Sequence, residues 1–246
     1  MTAPWQDEVP RLSGSIVELR EVRASDAPVL FELLSDEAVQ EHLSSPPPSV
    51  DAFEGFVRWA IDQRGQGNCI TFGIVPHGLA DAVGIVQLRA LDPTWFVAEW
   101  GFALGLAFWG TGVFAEAAEL VVRFAFEALR VDRLEARAAT LNGRANGALN
   151  KMGASAEVTL MRSFKRLNGR YDEQLLWSLR AEDWRQGGLF TPARFDAQRA
   201  KQRIADATAD VRRHLQERRA SRGDAASSSR YPFLLTRPRK KSDPAQ

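Results

Sequence analysis

The sequence is poor in the residues that build disulfide frameworks and metal sites, with one cysteine and three histidines among 246 residues. Cys69 cannot form an intramolecular disulfide, and His42 and His77 lack the spacing to cysteine or carboxylate residues that zinc ligands show, so both are expected at the surface. No apolar run approaches the ~20 residues of a membrane-spanning helix. Residues 1–14 have neither the basic nor the apolar region of a signal peptide. We therefore expect a cytoplasmic protein with no metal ion and no transmembrane segment.

Net charge is also nearly absent, since 32 Lys and Arg side chains stand against 31 Asp and Glu side chains. With 45% apolar and 26% charged residues, the composition is that of an ordinary soluble globular chain and excludes wholesale disorder. The total of +1 nevertheless averages two unlike segments. Residues 187–246 carry 14 basic and 6 acidic side chains, whereas residues 1–186 carry 18 basic and 25 acidic ones. An acidic body is thus followed by a basic C-terminal extension.

The spacing of apolar residues predicts a mixed α/β chain with elements in the order βααβββαβαββ and an antiparallel meander of three strands near its middle. We assign residues 1–11 to an N-terminal lead, residues 12–186 to one domain, and residues 187–246 to an extension that is partly helical and then disordered. The predicted strands span residues 15–22, 69–75, 82–90, 96–104, 133–140, 157–165 and 173–179, and the predicted helices span residues 27–43, 49–65, 113–129 and 144–152.

The segment from Trp109 to Ala117 lies between a predicted strand and a predicted helix and contains Gly110 and Gly112. Such glycines permit a tight turn that exposes the unpaired N–H groups of the helix start to an anion such as a phosphate. Alternatively, they only shape the connection. The string GTGVFA also fits the dinucleotide fingerprint G-x-G-x-x-A, with Asp132 and Glu135 at about the distance of a ribose-binding acid. A Rossmann fold needs further βα units, however, whereas one strand, one short helix and a hairpin follow here.

Most of the body, from about Leu12 to Trp184, resembles the GNAT N-acetyltransferases of the RimJ/RimL type. Three blocks in register carry the resemblance: VELREVRASDAPVLFELL at the front, AEWGFALGLAFWGTGVFAEA in the centre, and NGRANGALNKMGA towards the end. The central block is similar to the family's fourth strand, its pyrophosphate loop and the following helix. The resemblance implies the GNAT acyl-CoA N-acyltransferase fold, which has a mostly antiparallel central sheet and a strand-helix-strand CoA-binding core, with acetyl-CoA as cosubstrate.

The same resemblance implies which residues hold acetyl-CoA. The loop would bind the pyrophosphate through main-chain N–H groups, the strand before it would carry the pantetheine, and the later helix would contact the CoA arm. The loop residues are Trp109, Gly110, Thr111, Gly112, Val113 and Phe114. The strand residues are Phe102, Ala103 and Leu104, and the helix residues are Asn142 and Asn146. The sequence departs from the family at Phe114, where glycine or alanine is usual, and at Ala145 and Leu149, where family members carry a serine or a tyrosine.

Acetyl transfer from a thioester to an amine needs a base for the ammonium proton, a donor for the oxyanion and a proton for the departing thiolate. The predicted base is Glu99, acting directly or through a water molecule. Alternatively, Glu99 only forms a hydrogen bond or faces solvent at the start of a strand. A strand N–H near Ala103 could serve the oxyanion, and no residue stands out as the acid.

The predicted function is transfer of an acetyl group from acetyl-CoA to a primary amine, on a protein N-terminus or a small molecule, by direct attack in a ternary complex. The alternative is a catalytically weak acetyl-CoA-binding module that acts through its basic tail on RNA or a protein partner. Residues 187–246 could bind nucleic acid, a ribosome surface or an acidic partner. Their removal is expected to leave chemistry on small amines intact.

Overall fold

A single eight-stranded sheet forms the centre of the protein in the computed structural model, which describes residues 3–43, 46–166, 168–187 and 197–221. The strands are β1 (Leu12–Ser13), β2 (Val17–Glu21), β3 (Cys69–Pro76), β4 (Gly84–Ala90), β5 (Val97–Leu104), β6 (Arg133–Ala139), β7 (Ser155–Lys165) and β8 (Tyr171–Arg180). They lie in the order β1-β2-β3-β4-β5-β6-β8-β7, and among these strands only β5 and β6 pair in parallel. The mostly antiparallel mixed α/β fold is confirmed, and a Rossmann-type parallel sheet is excluded.

Helices flank this sheet. They are α1 (Pro4–Asp7), α2 (Ala27–Leu34), α3 (Glu37–Gln40), α4 (Val50–Gly65), α5 (Val113–Arg123), α6 (Gly143–Lys151), α7 (Ala181–Arg185) and α8 (Ala197–Ser221). Helix α5 continues as a π-helical segment, Phe124–Ala128, so the helix predicted over residues 113–129 is present with a change of winding near its end. None of the described helices is long and apolar enough to cross a membrane.

Helix α4 illustrates how local sequence sets these elements. The Ser49 hydroxyl accepts a hydrogen bond from the Ala52 N–H at 3.1 Å and so caps the first turn. Phe53, Phe56 and Val57 are buried on one face, as their helical spacing predicts. This face packs against the sheet next to α2.

Two hydrophobic cores lie on opposite faces of the sheet. Phe72 and Val121 belong to the core between the sheet and α5. Phe56 and Ile85 belong to the core between the sheet and helices α2 and α4. Strand β3 lies between both cores and all its residues are buried, which explains why its sequence lacks polar alternation. The cofactor loop predicted from the sequence connects β5 to α5, at the edge of the first core.

The C-terminal helix α8 packs into the same core as α5. Ala200, Ile204 and Ala207 are buried there, and their spacing forms one stripe along the helix. Residues 187–246 are poorly apolar, so the sequence predicts an extension separate from the domain. In its described part, these buried side chains contact the core. The predicted disorder concerns residues 222–246, which lie outside the described residues.

Candidate active site

A cleft opens where strands β5 and β6 stop pairing. Their register joins residues 97–99 to residues 133–135 and extends no further along the described strands. Beyond Glu99, β5 pairs with β4 alone, so its other edge has no ladder partner from β6. The later residues of both strands line a cavity of about 210 Å³. Both hydrophobic surface and main-chain hydrogen-bonding groups are therefore available to an elongated ligand.

The glycine loop closes one end of this cleft. Gly110 and Gly112 have φ angles of 74° and 97°, in the left-handed region that favours glycine. The Thr111 side chain turns inward, where its hydroxyl donates to the Phe108 carbonyl at 2.7 Å. Gly112 is the N-cap of α5, and no atom lies within 4 Å of the point where a Cβ on Gly110 would stand. Free space and the N–H groups of a helix start thus suit an anion such as a diphosphate.

Glu116 is the acidic residue in the first turn of α5. Its carboxylate accepts hydrogen bonds from the N–H groups of Ser15, Ile16 and Val17 at 2.7–2.9 Å. The negative charge is therefore committed to the start of β2. It joins two elements 100 residues apart in the chain.

Aromatic side chains form one wall of the cleft. The ring centroids of Phe102 and Phe114 are 4.2 Å apart, and those of Trp100 and Phe102 are 5.7 Å apart. Phe114, the departure from the family's loop pattern, therefore packs on the predicted pantetheine strand. Trp109 donates from Nε1 to the Leu104 carbonyl at 2.8 Å.

Helix α6 contributes to the same end of the cleft. The Asn142 Oδ1 accepts a hydrogen bond from the Ala145 N–H at 3.0 Å, and Asn142 lines the cleft. The Arg144 guanidinium lies 4.7 Å from the centroid of the Trp109 ring, an arrangement suited to a cation–π interaction. A positive charge thus stands beside the glycine loop.

Asn146 is placed differently from Asn142. Its Nδ2 donates to the Ala139 carbonyl at 2.9 Å, and its Oδ1 accepts from Trp177 Nε1 at 2.9 Å. The side chain therefore connects α6 to strands β6 and β8 and is not among the residues that line the cleft. A contact between Asn146 and CoA stays a prediction.

Glu99 lies at the point where β5 and β6 diverge, with only 2% of its surface exposed. One carboxylate oxygen is paired with Arg89 and the other with Nε of Arg137 at 3.4 Å. Both carboxylate oxygens are therefore engaged in ion pairs. This pairing fits the alternative in which Glu99 forms hydrogen bonds, and its role as base stays a prediction.

His42, expected at the surface, instead is half-buried and lines the cleft. Burial lowers the pKa of His42 below 6.5, Glu41 opposes this shift, and the positive charges of Arg166 and Arg144 add to it. Among the described residues, Arg166 pairs with Glu41 at 3.1 Å and also with Asp172, so it joins the end of β7 to the segment after α3. A histidine kept neutral at pH 7 can accept a proton. No spacing in the sequence identified His42, because this contact depends on chain segments far apart.

Gln174 adds a polar group to the cleft wall. It is 6% exposed, and its Oε1 has no hydrogen-bond partner among the described residues. Burying a carbonyl oxygen without a partner is costly, so such a group commonly serves a ligand or a water molecule. It is suited to an N–H donor.

Comparisons with known proteins identify the family of this chain. Residues 17–155 match the family model described as an acetyltransferase (GNAT) domain. The chain is 26% identical to the uncharacterised N-acetyltransferase p20 of Bacillus licheniformis, over 65% of this chain and 90% of that protein. A crystal structure of a GCN5-related N-acetyltransferase from Brucella melitensis has 21% identity and a TM-score of 0.62, over 72% of this chain and 80% of that one. A structure of RimL, described as a ribosomal L7/L12 alpha-N-protein acetyltransferase, has 18% identity and a TM-score of 0.63, over 70% and 94%.

Proposed function

The chain belongs to the family of GNAT acetyltransferase domains, and from this premise we propose that it transfers the acetyl group of acetyl-CoA to a primary amine by direct attack in a ternary complex. The observation that carries the proposal is the cleft between β5 and β6, which is lined both by the glycine loop and by His42. A neighbour described as acting on a protein α-amino group supports a protein N-terminus as acceptor. Small amines are the second class of acceptor to test.

The glycine-loop end of the cleft suits the CoA part of the cosubstrate. Main-chain N–H groups of the loop would hold the diphosphate, chiefly those of Gly110, Gly112 and Phe114, because the Trp109 and Thr111 N–H groups donate to the carbonyls of Leu106 and Phe108 at 3.0 and 3.4 Å. The free edge of β5 over Phe102, Ala103 and Leu104 would pair with the amide groups of pantetheine. Asn142 lies where these two parts meet. When bound, acetyl-CoA supplies an activated thioester, and a main-chain N–H near Ala103 would stabilise the charge that develops on the acetyl oxygen.

We assign proton removal from the acceptor to His42. A primary alkylammonium group has a pKa of about 10, so the acceptor must lose a proton before it attacks. Neutral His42 lines the cleft and can take this proton directly or through water. With His42 as base, the role of Glu99 is to pair with Arg89 and Arg137 at the point where the strands diverge. The prediction that Glu99 is itself the base is tested by substitution.

Direct transfer also fits the state of the one cysteine. Burial raises the pKa of the Cys69 thiol to about 12, and Cys69 does not line the cleft. A thiol in that state is a poor nucleophile. An acetylated cysteine on the enzyme is therefore not part of the proposed route.

The test is a thiol-release assay with acetyl-CoA and a panel of peptides with free N-termini, amino acids and polyamines. We expect release that requires both acetyl-CoA and one acceptor class, with mass spectrometry locating the acetyl group on the acceptor nitrogen. A peptide with a blocked N-terminus and no lysine is the matched control. Binding of acetyl-CoA without release on any acceptor would favour the binding module instead.

A further inference from the structure

Helix α8 reaches the glycine loop with one charged side chain. Arg203 donates from Nη1 to the carbonyl oxygen of Gly110 at 2.9 Å. Its neighbour Ile204 is buried in the core, and α8 packs against the turn Leu106–Phe108 that precedes the loop. Packing of Ile204 in the core and of α8 against the turn Leu106–Phe108 therefore fixes the position of Arg203.

The remaining N–H groups of the Arg203 guanidinium are available to a ligand beside the glycine loop. Among the described residues it has no carboxylate partner and no hydrogen bond other than the one to Gly110. A guanidinium carries five N–H donors in a planar fork that matches phosphate oxygens. Several donors and one positive charge thus remain at the mouth of the loop.

The hydrogen bond also affects the shape of the loop. Gly110 has a φ of 74°, and no atom lies within 4 Å of the space that a Cβ there would occupy. The Gly110 carbonyl oxygen accepts this hydrogen bond and therefore points towards α8. The partial negative charge of this oxygen is offset by the guanidinium. An anion in the loop then meets less repulsion.

We propose that Arg203 is a specificity-determining and positioning residue of the acetyl-CoA site, which holds the Gly110 carbonyl and offers its remaining N–H groups to the diphosphate of the cosubstrate. This inference rests on the proposed function. It assigns part of the basic C-terminal extension to cofactor binding. The diphosphate is the group concerned because Arg203 contacts the loop itself.

The test compares Arg203→Gln and Lys201→Gln in the full-length protein. Lys201 is an exposed cation two residues away on α8, so its substitution removes the same charge from another side of the helix. Calorimetry measures the Kd of acetyl-CoA and of acetyl-dephospho-CoA, and steady-state assays with one acceptor measure kcat/KM for S-acetylpantetheine, which has no diphosphate. Thermal unfolding checks that both variants are folded.

We expect Arg203→Gln to weaken both CoA forms about tenfold, to leave kcat/KM with S-acetylpantetheine unchanged, and to leave the acceptor KM unchanged. Lys201→Gln should change none of these values by more than about twofold. Equal loss in both variants, or equal loss with S-acetylpantetheine, would overturn the inference, as would an effect on acetyl-CoA that is absent with acetyl-dephospho-CoA. If the wild-type protein binds no acetyl-CoA, the proposed function itself fails; if it binds acetyl-CoA and Arg203→Gln binds equally well, only this inference fails.

Discussion

Part of the cleft wall is the main chain of the glycine loop, whereas another part consists of side chains from distant segments. Gly110 and Gly112 have φ angles in the left-handed region, and Gly112 is the N-cap of α5. His42 follows α3 and Gln174 lies on β8, and the ion pair of Glu41 with Arg166 joins the segment beside His42 to the end of β7. We therefore expect substitutions in the loop to remove cofactor binding, and substitutions at or beside His42 to slow turnover or weaken acceptor binding while acetyl-CoA still binds.

The largest effect is expected from Gly112→Asp. A carboxylate about 4 Å from a bound phosphate costs about 4 kcal/mol at an effective dielectric constant of 20, which corresponds to about 1000-fold in Kd for acetyl-CoA. Gly112→Asn is the matched control, because asparagine has the same shape and also tolerates positive φ. Calorimetry should find weak binding by the asparagine variant and none by the aspartate variant. Equal affinities for both would argue against a diphosphate at this loop.

A substitution where β5 and β6 diverge, Glu99→Gln, should act on stability. It removes the negative charge between two guanidinium groups and is expected to lower the free energy of unfolding by about 3 kcal/mol. Urea unfolding measures this, with Glu119→Gln as the control, since the exposed pair of Glu119 with Arg123 is worth at most about 0.5 kcal/mol. Unchanged stability together with a turnover loss of about 100-fold or more would instead identify Glu99 as the base.

His42→Gln should lower kcat about 100-fold and leave the Kd of acetyl-CoA unchanged. Since burial lowers the pKa of His42, the wild-type residue gains a proton only as pH falls through a pKa below that of a free histidine. The ratio of wild-type to His42→Gln rates, which cancels the ionisation of the acceptor, should be constant from neutral pH upwards and decline at acidic pH. A ratio of one at every pH would exclude His42. His77→Gln, a histidine whose Nε2 lies 3.0 Å from the Gly14 carbonyl, is the control.

The smallest effect is expected from Glu41→Gln. It breaks the contact with Arg166 that joins the two segments beside His42, while Arg166 keeps its pairing with Asp172. We expect the acceptor KM to rise about twofold to fivefold, as for other partly exposed pairs, with no change in the Kd of acetyl-CoA. Asp172→Asn, which leaves the contact between Glu41 and Arg166 in place, should change the acceptor KM less. An altered Kd for acetyl-CoA would show that the glycine loop and the residues beside His42 do not act separately.

The contrast between the loop and the distant side chains also explains what the sequence could predict. The glycine loop and the helix predicted from residue 49 depend on neighbouring residues, and local conformational preference identifies such features. The position of His42 in the cleft depends on long-range packing, for which a single sequence contains no spacing signal. The packing of helix α8 against the domain was not predicted for a related reason.

Its three buried side chains, Ala200, Ile204 and Ala207, are too few to mark an amphipathic helix by composition. They attach α8 because the core beside α5 offers a matching surface. The expectation that removal of residues 187–246 leaves chemistry on small amines intact stays a prediction, and the burial of α8 in the core is a reason to expect the opposite for the part that includes this helix. The two strands that diverge at Glu99 were likewise predicted as strands, but their divergence is a property of the sheet.

The measurement that tests the account most directly is the initial rate of thiol release over a grid of acetyl-CoA and acceptor concentrations. If one cleft holds both substrates and the amine attacks the thioester directly, double-reciprocal plots should give intersecting lines. Parallel lines would indicate an acetylated enzyme and a ping-pong mechanism, and would contradict the account.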